Sequence, residues 1–239
     1  MPSFQVDFLV RIWYNRNMDF SDVDVRSTER RINLRKNVLN NGYVELVESM
    51  GGDYSVIRNA RRCYKSESKG EESDRKLISH LLTNKHMTPF ESMVFTFDIK
   101  CPLFIARQWM RHRHGSFNEE SLRYCVAERD FYIPDYFEEN SPLYNKWVSD
   151  NQRQFDSYEL FVRECGMTKE QARSLLPLGI YTSFYWTVNG SSLLNFLRLR
   201  TDKHAQKEMQ DYAWAIVNLV KDKAPVTFGI FGKELILNS

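Results

Sequence analysis

Apolar and polar positions change period several times along this chain, and each change marks an element. Phe4 to Trp13 alternates as a strand, and Val23 to Leu39 reads as a charged helix that stops before the Asn40-Asn41-Gly42 turn. Tyr43 to Met50 has strand character again. Asp53 is placed to cap a helix through Tyr64 and Ser73 another through Lys85, with a polar Lys65 to Glu72 loop between them. Met93 to Cys101 alternates as a half-buried strand. Pro102 then opens a helix, since proline is tolerated at the first position, and Gly115 is expected to end it. Leu143 to Cys165 has helical spacing, and Thr168 with Gln171 forms a capping box for a short helix. Tyr181 to Val188 is aromatic and β-branched, hence a strand. Two helices, Ser191 to Leu199 and Asp202 to Lys223, complete the last third and stop near Pro225. The mixture predicts an α+β fold.

Between the third strand and the long helix lies the densest polar chemistry. Arg107 to Arg123 holds four arginines and two histidines, followed by hydroxyl, amide and carboxylate groups at Ser116, Asn118, Glu119, Glu120 and Ser121. Planar guanidinium forks match phosphate and carboxylate oxygens, so the segment is expected to be an anion site. Continued as a helix, it would put Arg107, Arg111 and His114 on one face and point Arg111 and Arg113 apart, so that one helix end could serve two ligands or two subunits. His112 and His114, two apart, diverge on a helix, and no thiol or carboxylate spacing completes a tetrahedral set, so no metal is expected.

Composition narrows the class. The 239 residues carry a net charge of +2 from 33 basic and 31 acidic groups, which argues against a general nucleic-acid footprint. No apolar run approaches the roughly 20 residues of a membrane span, and the amino terminus lacks the order of a signal peptide, so a cytoplasmic location is expected. Cys63, Cys101, Cys125 and Cys165 are far apart, as suits reduced thiols. Neither a Gly-x-Gly-x-x-Gly turn nor a phosphate loop is present.

Arg111-His112-Arg113, followed after seven residues by Ser121, resembles the signature of the flavin-dependent thymidylate synthases. His86-Met87-Thr88-Pro89-Phe90-Glu91, Arg107-Gln108-Trp109, Leu176-Pro177, Tyr185 to Asn189, Asn195-Phe196-Leu197 and His204-Ala205-Gln206 resemble further family segments, in family order. The likeness spans residues 42–237. It implies a catalytic domain of 42–239 behind an amino-terminal extension of 1–41, with mixed helices and antiparallel sheet assembled as a homotetramer. It also implies reductive methylation of dUMP to dTMP, with methylenetetrahydrofolate as carbon donor, FAD as redox relay and NADPH as reductant. The classical thymidylate synthases need a cysteine after proline, whereas Cys101-Pro102 is the reverse order.

By the same resemblance Gln108, Arg111, Glu119, Ser121, Arg123, Arg173 and Arg200 surround dUMP, with Arg200 against the pyrimidine. Thr88, Arg111, His112, Arg113, His114, Glu119, Asn189, Asn195 and His204 match FAD contacts. Arg200, His86 and Ser121 fall nearest the chemistry. Ser121 has no neighbouring base in the sequence and is read as a phosphate contact rather than a nucleophile. Trp109, Tyr185 and Trp186 are read as core or interface packing, and His80 as structural. One departure stands out: Ser191 occupies the position of an arginine found in many relatives, a loss that Arg198 could offset. Two alternatives remain open from the residues alone. One is an arginine-rich RNA-binding module that stacks bases on Phe117 and Tyr124; the other is a flavoprotein of the same fold with lost or altered activity.

Overall fold

The computed structural model describes residues 34–63 and 65–238. The strand expected at Phe4 to Trp13 and most of the helix expected at Val23 to Leu39 lie outside them. An antiparallel sheet of five strands organises the rest: β1 (Arg35–Val38), β2 (Gly42–Met50), β3 (Val94–Pro102), β4 (Gly115–Glu119) and β5 (Tyr181–Asn189), in the order β1-β2-β3-β5-β4. Alternation along β3 and β5 turns Phe95, Phe97, Ile99, Phe184, Trp186 and Val188 into the core, while Thr96, Asp98, Lys100 and Tyr185 stand on the opposite face.

Eight helices surround this sheet among the described residues: α1 (Asp53–Arg62), α2 (Glu71–Thr83), α3 (Leu103–Trp109), α4 (Pro142–Arg163), α5 (Lys169–Ala172), α6 (Gly190–Arg200), α7 (Lys207–Val220) and α8 (Pro225–Asn238). A 3-10 turn, Thr88–Ser92, precedes β3, and α1 and α6 both pack on it. α4 and α5 close a smaller core of Ala127, Phe155, Tyr158, Ala172 and Ile180. No described helix is long and apolar enough to cross a membrane.

Four expectations are corrected. Residues 35–38 are strand, not helix: their charges suit an edge strand, and Arg35 faces Glu45 across the ladder at 3.1 Å. The sheet therefore begins ahead of Gly42. Asp53 does not cap its own helix. Its carboxylate accepts Val226 N at 2.8 Å, Thr227 N at 2.9 Å and the Thr227 hydroxyl at 2.6 Å, so it caps α8. Pro225 accordingly starts a third C-terminal helix instead of ending the second. Ser73 lies inside α2, where its hydroxyl accepts a hydrogen bond from Arg61 at 3.3 Å.

That contact belongs to a buried tie between α1 and α2. Arg61 donates to Asp74 Oδ1 from Nε at 3.2 Å and from Nη2 at 2.6 Å, while Ser68 donates to Oδ2. Burial works against the Asp74 carboxylate, but these hydrogen bonds and the Arg61 charge together hold its pKa below the ordinary value.

Candidate active site

A fifth correction concerns the arginine-rich segment itself. α3 ends at Trp109, and residues 111–114 form a turn that leads into β4. Tertiary pairing decides this. Trp109 is fully buried, stacked on Phe196 at 5.0 Å and edge-on to Trp186 at 5.5 Å. Gly115 then pairs with Val188, where a Cβ would come within 2.6 Å of Trp186 Nε1. The shared helix face for Arg107, Arg111 and His114 does not exist. Arg111, Arg113 and His114 are exposed on the turn, and none has an ion pair or side-chain hydrogen bond among the described residues.

His112 turns the other way, its ring set edge-on against Phe196 at 4.8 Å. Arg200, the last residue of α6, donates from Nε to His112 Nε2 at 2.9 Å and from Nη2 to the Gln108 carbonyl at 3.1 Å. The Gln108 side chain donates in turn to Gln206 Oε1. Because Nε2 accepts, the imidazole proton sits on Nδ1 and the ring is neutral. Burial, then the Arg200 charge, push its pKa from 6.5 down to about 4. Burial also lowers the Arg200 guanidinium from its ordinary value. Among the described residues Arg200 is thus a half-buried cation held by neutral acceptors alone.

A second group gathers past β4. Thr182 donates to Glu119 Oε1 at 2.8 Å, and the Ser183 amide to Glu120 Oε1 at 3.1 Å. Ser121 opens a turn whose carbonyl accepts Tyr124 N and Cys125 N, both at 3.0 Å, while its hydroxyl accepts Arg123 N at 3.4 Å. Among the described residues no imidazole or carboxylate is bonded to that hydroxyl. Arg123 Nε meets Glu170 Oε1 at 2.7 Å, and Arg173 Nε donates to the Glu170 carbonyl at 3.2 Å. Two guanidinium groups far apart in sequence therefore converge on one residue of α5.

The remaining predicted residues are hydrogen-bonded to neither group among the described residues. Asn189 caps α6, its Oδ1 accepting Ser192 N at 2.9 Å. Gly190 N donates to Met93 O at 2.8 Å, and a Cβ on Gly190 would lie 2.5 Å from Phe90 O, so α6 starts hard against the turn that Thr88 opens. His86 follows α2, its amide on the Leu81 carbonyl at 2.9 Å and its ring 5.9 Å from that of His80. Asn195 and His204 are exposed, and neither side chain has a hydrogen bond among the described residues; the His204 amide donates to Asp202 Oδ1 at 2.8 Å.

So the structure joins Gln108, His112 and Arg200, and separately Arg123 with Arg173. Among the described residues it gives Arg111, Arg113, His114, Asn195 and His204 no side-chain hydrogen bond or ion pair to another predicted residue. A surface cavity of about 800 Å³ between β1, α4 and α7 involves none of them. Sequence reasoning missed Gln206, Glu170 and Phe196 as partners; Gln206 and Phe196 lay within quoted segments, while nothing local marked Glu170. No group of described residues has the geometry of a metal site, and all four cysteines are free.

Comparison with known proteins then settles the family. The model of the thymidylate synthase complementing proteins matches residues 45–226. The flavin-dependent thymidylate synthase of Thermosipho melanesiensis is 44% identical over 218 residues, covering 82% of this chain and 93% of that protein. The chain belongs to the flavin-dependent thymidylate synthase family. A second member, from Thermotoga neapolitana, is 46% identical over 201 residues, with 82% and 93% of the two chains covered. The crystal structure of the UMP/dUMP methylase PolB from Streptomyces cacaoi, bound with 5-Br dUMP, superposes with a TM-score of 0.75 at 29% identity, covering 83% of this chain and 97% of PolB. Family membership favours the enzyme reading over the RNA-binding alternative. The donor set also suits a flavin dinucleotide, since Arg111 and Arg113 offer unpaired guanidinium groups of the kind a pyrophosphate requires.

Proposed function

We propose that this chain methylates dUMP reductively to dTMP, taking the carbon from methylenetetrahydrofolate and the reducing equivalents from NADPH. The observation that carries the proposal is the setting of Arg200. A half-buried cation whose partners are a neutral imidazole and a carbonyl keeps its charge uncompensated. Placed against a uracil ring, it would stabilise negative charge developing on N3 and its flanking carbonyls, and so polarise C5 and C6. Its donors are already oriented, so little reorganisation is needed at reaction.

Arg123 and Arg173 suit the 5′-phosphate. Their tie to Glu170 is an exposed pairing of small worth, which a doubly charged phosphate can displace. The Ser121 hydroxyl supplies a further donor, with Gln108, Arg111 and Glu119 around the nucleoside. FAD, when bound, supplies the hydride chemistry that side chains lack. Arg111, His112, Arg113, His114 and Glu119 would hold it together with Thr88, Asn189, Asn195 and His204, and His86 would stand near the flavin and folate. These groups lie in separate regions of one chain, which supports a homotetramer whose sites are shared between subunits, within a cytoplasmic enzyme. Residues 42–239 form the catalytic region in this reading, and residues 1–41 an extension that contributes β1.

The test is a visible spectrum of the purified protein, followed anaerobically by NADPH and then dUMP, with dTMP measured after methylenetetrahydrofolate is added. A flavin band that NADPH bleaches faster with dUMP present, and dTMP formation, are expected. In Arg200→Ala the flavin should remain while dTMP formation is lost. A protein that takes up no FAD, or undiminished dTMP formation by Arg200→Ala, would overturn the assignment.

A further inference from the structure

The outer face of α1 carries cations that the site described above does not use. Arg58 and Arg62 are four residues apart and share one helix face, and Lys65 follows in the turn beyond. All three are exposed, and none has a side-chain partner among the described residues. With Ser66 and Glu67 they line a cavity of about 720 Å³. Arg61, in the same run, is consumed by Asp74. Three free cations thus share one concavity with a single free carboxylate. The negative end of the helix dipole accounts for a cation in the last turn, but not for three around a hollow. Such a set repels itself until an anion enters.

Position gives the set a candidate ligand. α1 packs on the Thr88–Ser92 turn, and the start of α6 closes on the same turn through Gly190. Ser191, one residue on, stands where the family resemblance leads one to expect an arginine. Arg198 does not restore that charge: its Nε is held on Glu234 at 3.2 Å and its guanidinium lies over the Phe231 ring at 5.2 Å. The free cations Arg58 and Arg62 lie on the outer face of α1, the helix that packs on this turn.

We infer that Arg58, Arg62 and Lys65 form an anion subsite for the phosphates of a dinucleotide, FAD or the pyridine nucleotide. The inference rests on the flavoenzyme reading above. Its chemistry is that of guanidinium and ammonium donors on phosphate oxygens, and no carboxylate partner must first be displaced.

The test uses the full chain with Arg58→Gln, Arg62→Gln and Lys65→Gln combined, read by FAD binding through quenching of flavin fluorescence and by KM for NADPH and for NADH. These side chains are exposed and unpaired, so the melting temperature should not move. Loss of the subsite should weaken one ligand on the order of tenfold or more. A raised Kd for FAD assigns the flavin pyrophosphate. A raised KM for NADPH but not NADH assigns the 2′-phosphate. Unchanged Kd and KM values in a variant that melts like the parent would overturn the subsite alone. A parent protein that takes up no FAD would overturn the flavoenzyme reading and the subsite with it.

Discussion

Replacing Arg200 by methionine tests the electrostatics of the site without asking for activity. The variant keeps the length of the side chain but removes its charge and its donor to His112. A pKa near 4 against an ordinary 6.5 corresponds to about 3 kcal/mol of preference for the neutral ring. Coulomb's law divides that figure. At the 2.9 Å contact, a unit charge facing the imidazolium costs about 1.4 kcal/mol at the dielectric constant of water, or about one pKa unit. The remainder, about 2 kcal/mol, belongs to burial, which the substitution leaves in place. His112 in Arg200→Met should therefore titrate at about 5, still below 6.5.

The assay is an NMR titration of the imidazole carbon-bound protons in the flavin-free protein, with His112→Gln to assign the signal. The sign follows from linkage. A histidine depressed in the native state is neutral there while the unfolded chain takes up a proton. Stability is thus fully present above pH 6.5 and is lost as pH falls toward about 4. Solvent on the open side of the ring screens the effect, leaving about 1–2 kcal/mol to be seen in denaturant melts across that window. A parent His112 that titrates near 6.5, or a variant whose His112 does not move, would refute the reasoning.

Three further outcomes follow from the packing. Asp74→Ala strands the buried Arg61 cation between α1 and α2 and should cost about 3–5 kcal/mol in urea unfolding, whereas a loss under 1 kcal/mol would mean that the pair is solvated. Asp53→Ala removes the cap of α8, and a loss of about 1–2 kcal/mol with faster amide exchange at Val226 and Thr227 is expected; unchanged exchange would contradict the capping role. Gly190→Ala brings a methyl group to 2.5 Å from the Phe90 carbonyl, so α6 must move off the Thr88–Ser92 turn; FAD retention should fall by more than the ~1–3 kcal/mol lost in stability accounts for, and normal retention would detach this turn from the cofactor.

Elements whose pattern is local were legible in the sequence. The alternation in β2, β3 and β5, the spacing of α4 and the Thr168 cap of α5 each depend on neighbours a few residues away. What failed depended on partners far along the chain. Asp53 has the right residue type for a cap, but the amides that it serves belong to Val226 and Thr227. The arginine segment has helical spacing, yet pairing of Gly115 with Val188 and burial of Trp109 break the helix before Arg111. Local propensity yields where a distant strand buries more surface than another turn of helix would.

The same distinction explains how far the site could be read in advance. Sequence shows that this chain is rich in arginine where an anion would bind, but a guanidinium is useful only if its charge is not already spent. Arg61 and Arg198 are taken by carboxylates within the fold, and Arg123 is lightly held by one. Arg111 and Arg113 are open, and Arg200 is fixed by acceptors that cancel none of its charge. These three kinds of arginine are indistinguishable by spacing. They separate only when the partners are in view, and the one to which the proposal gives the chemistry, Arg200, would owe that role to His112 staying neutral. That dependence is why the imidazole proton, rather than any arginine count, is the feature on which the proposed mechanism turns.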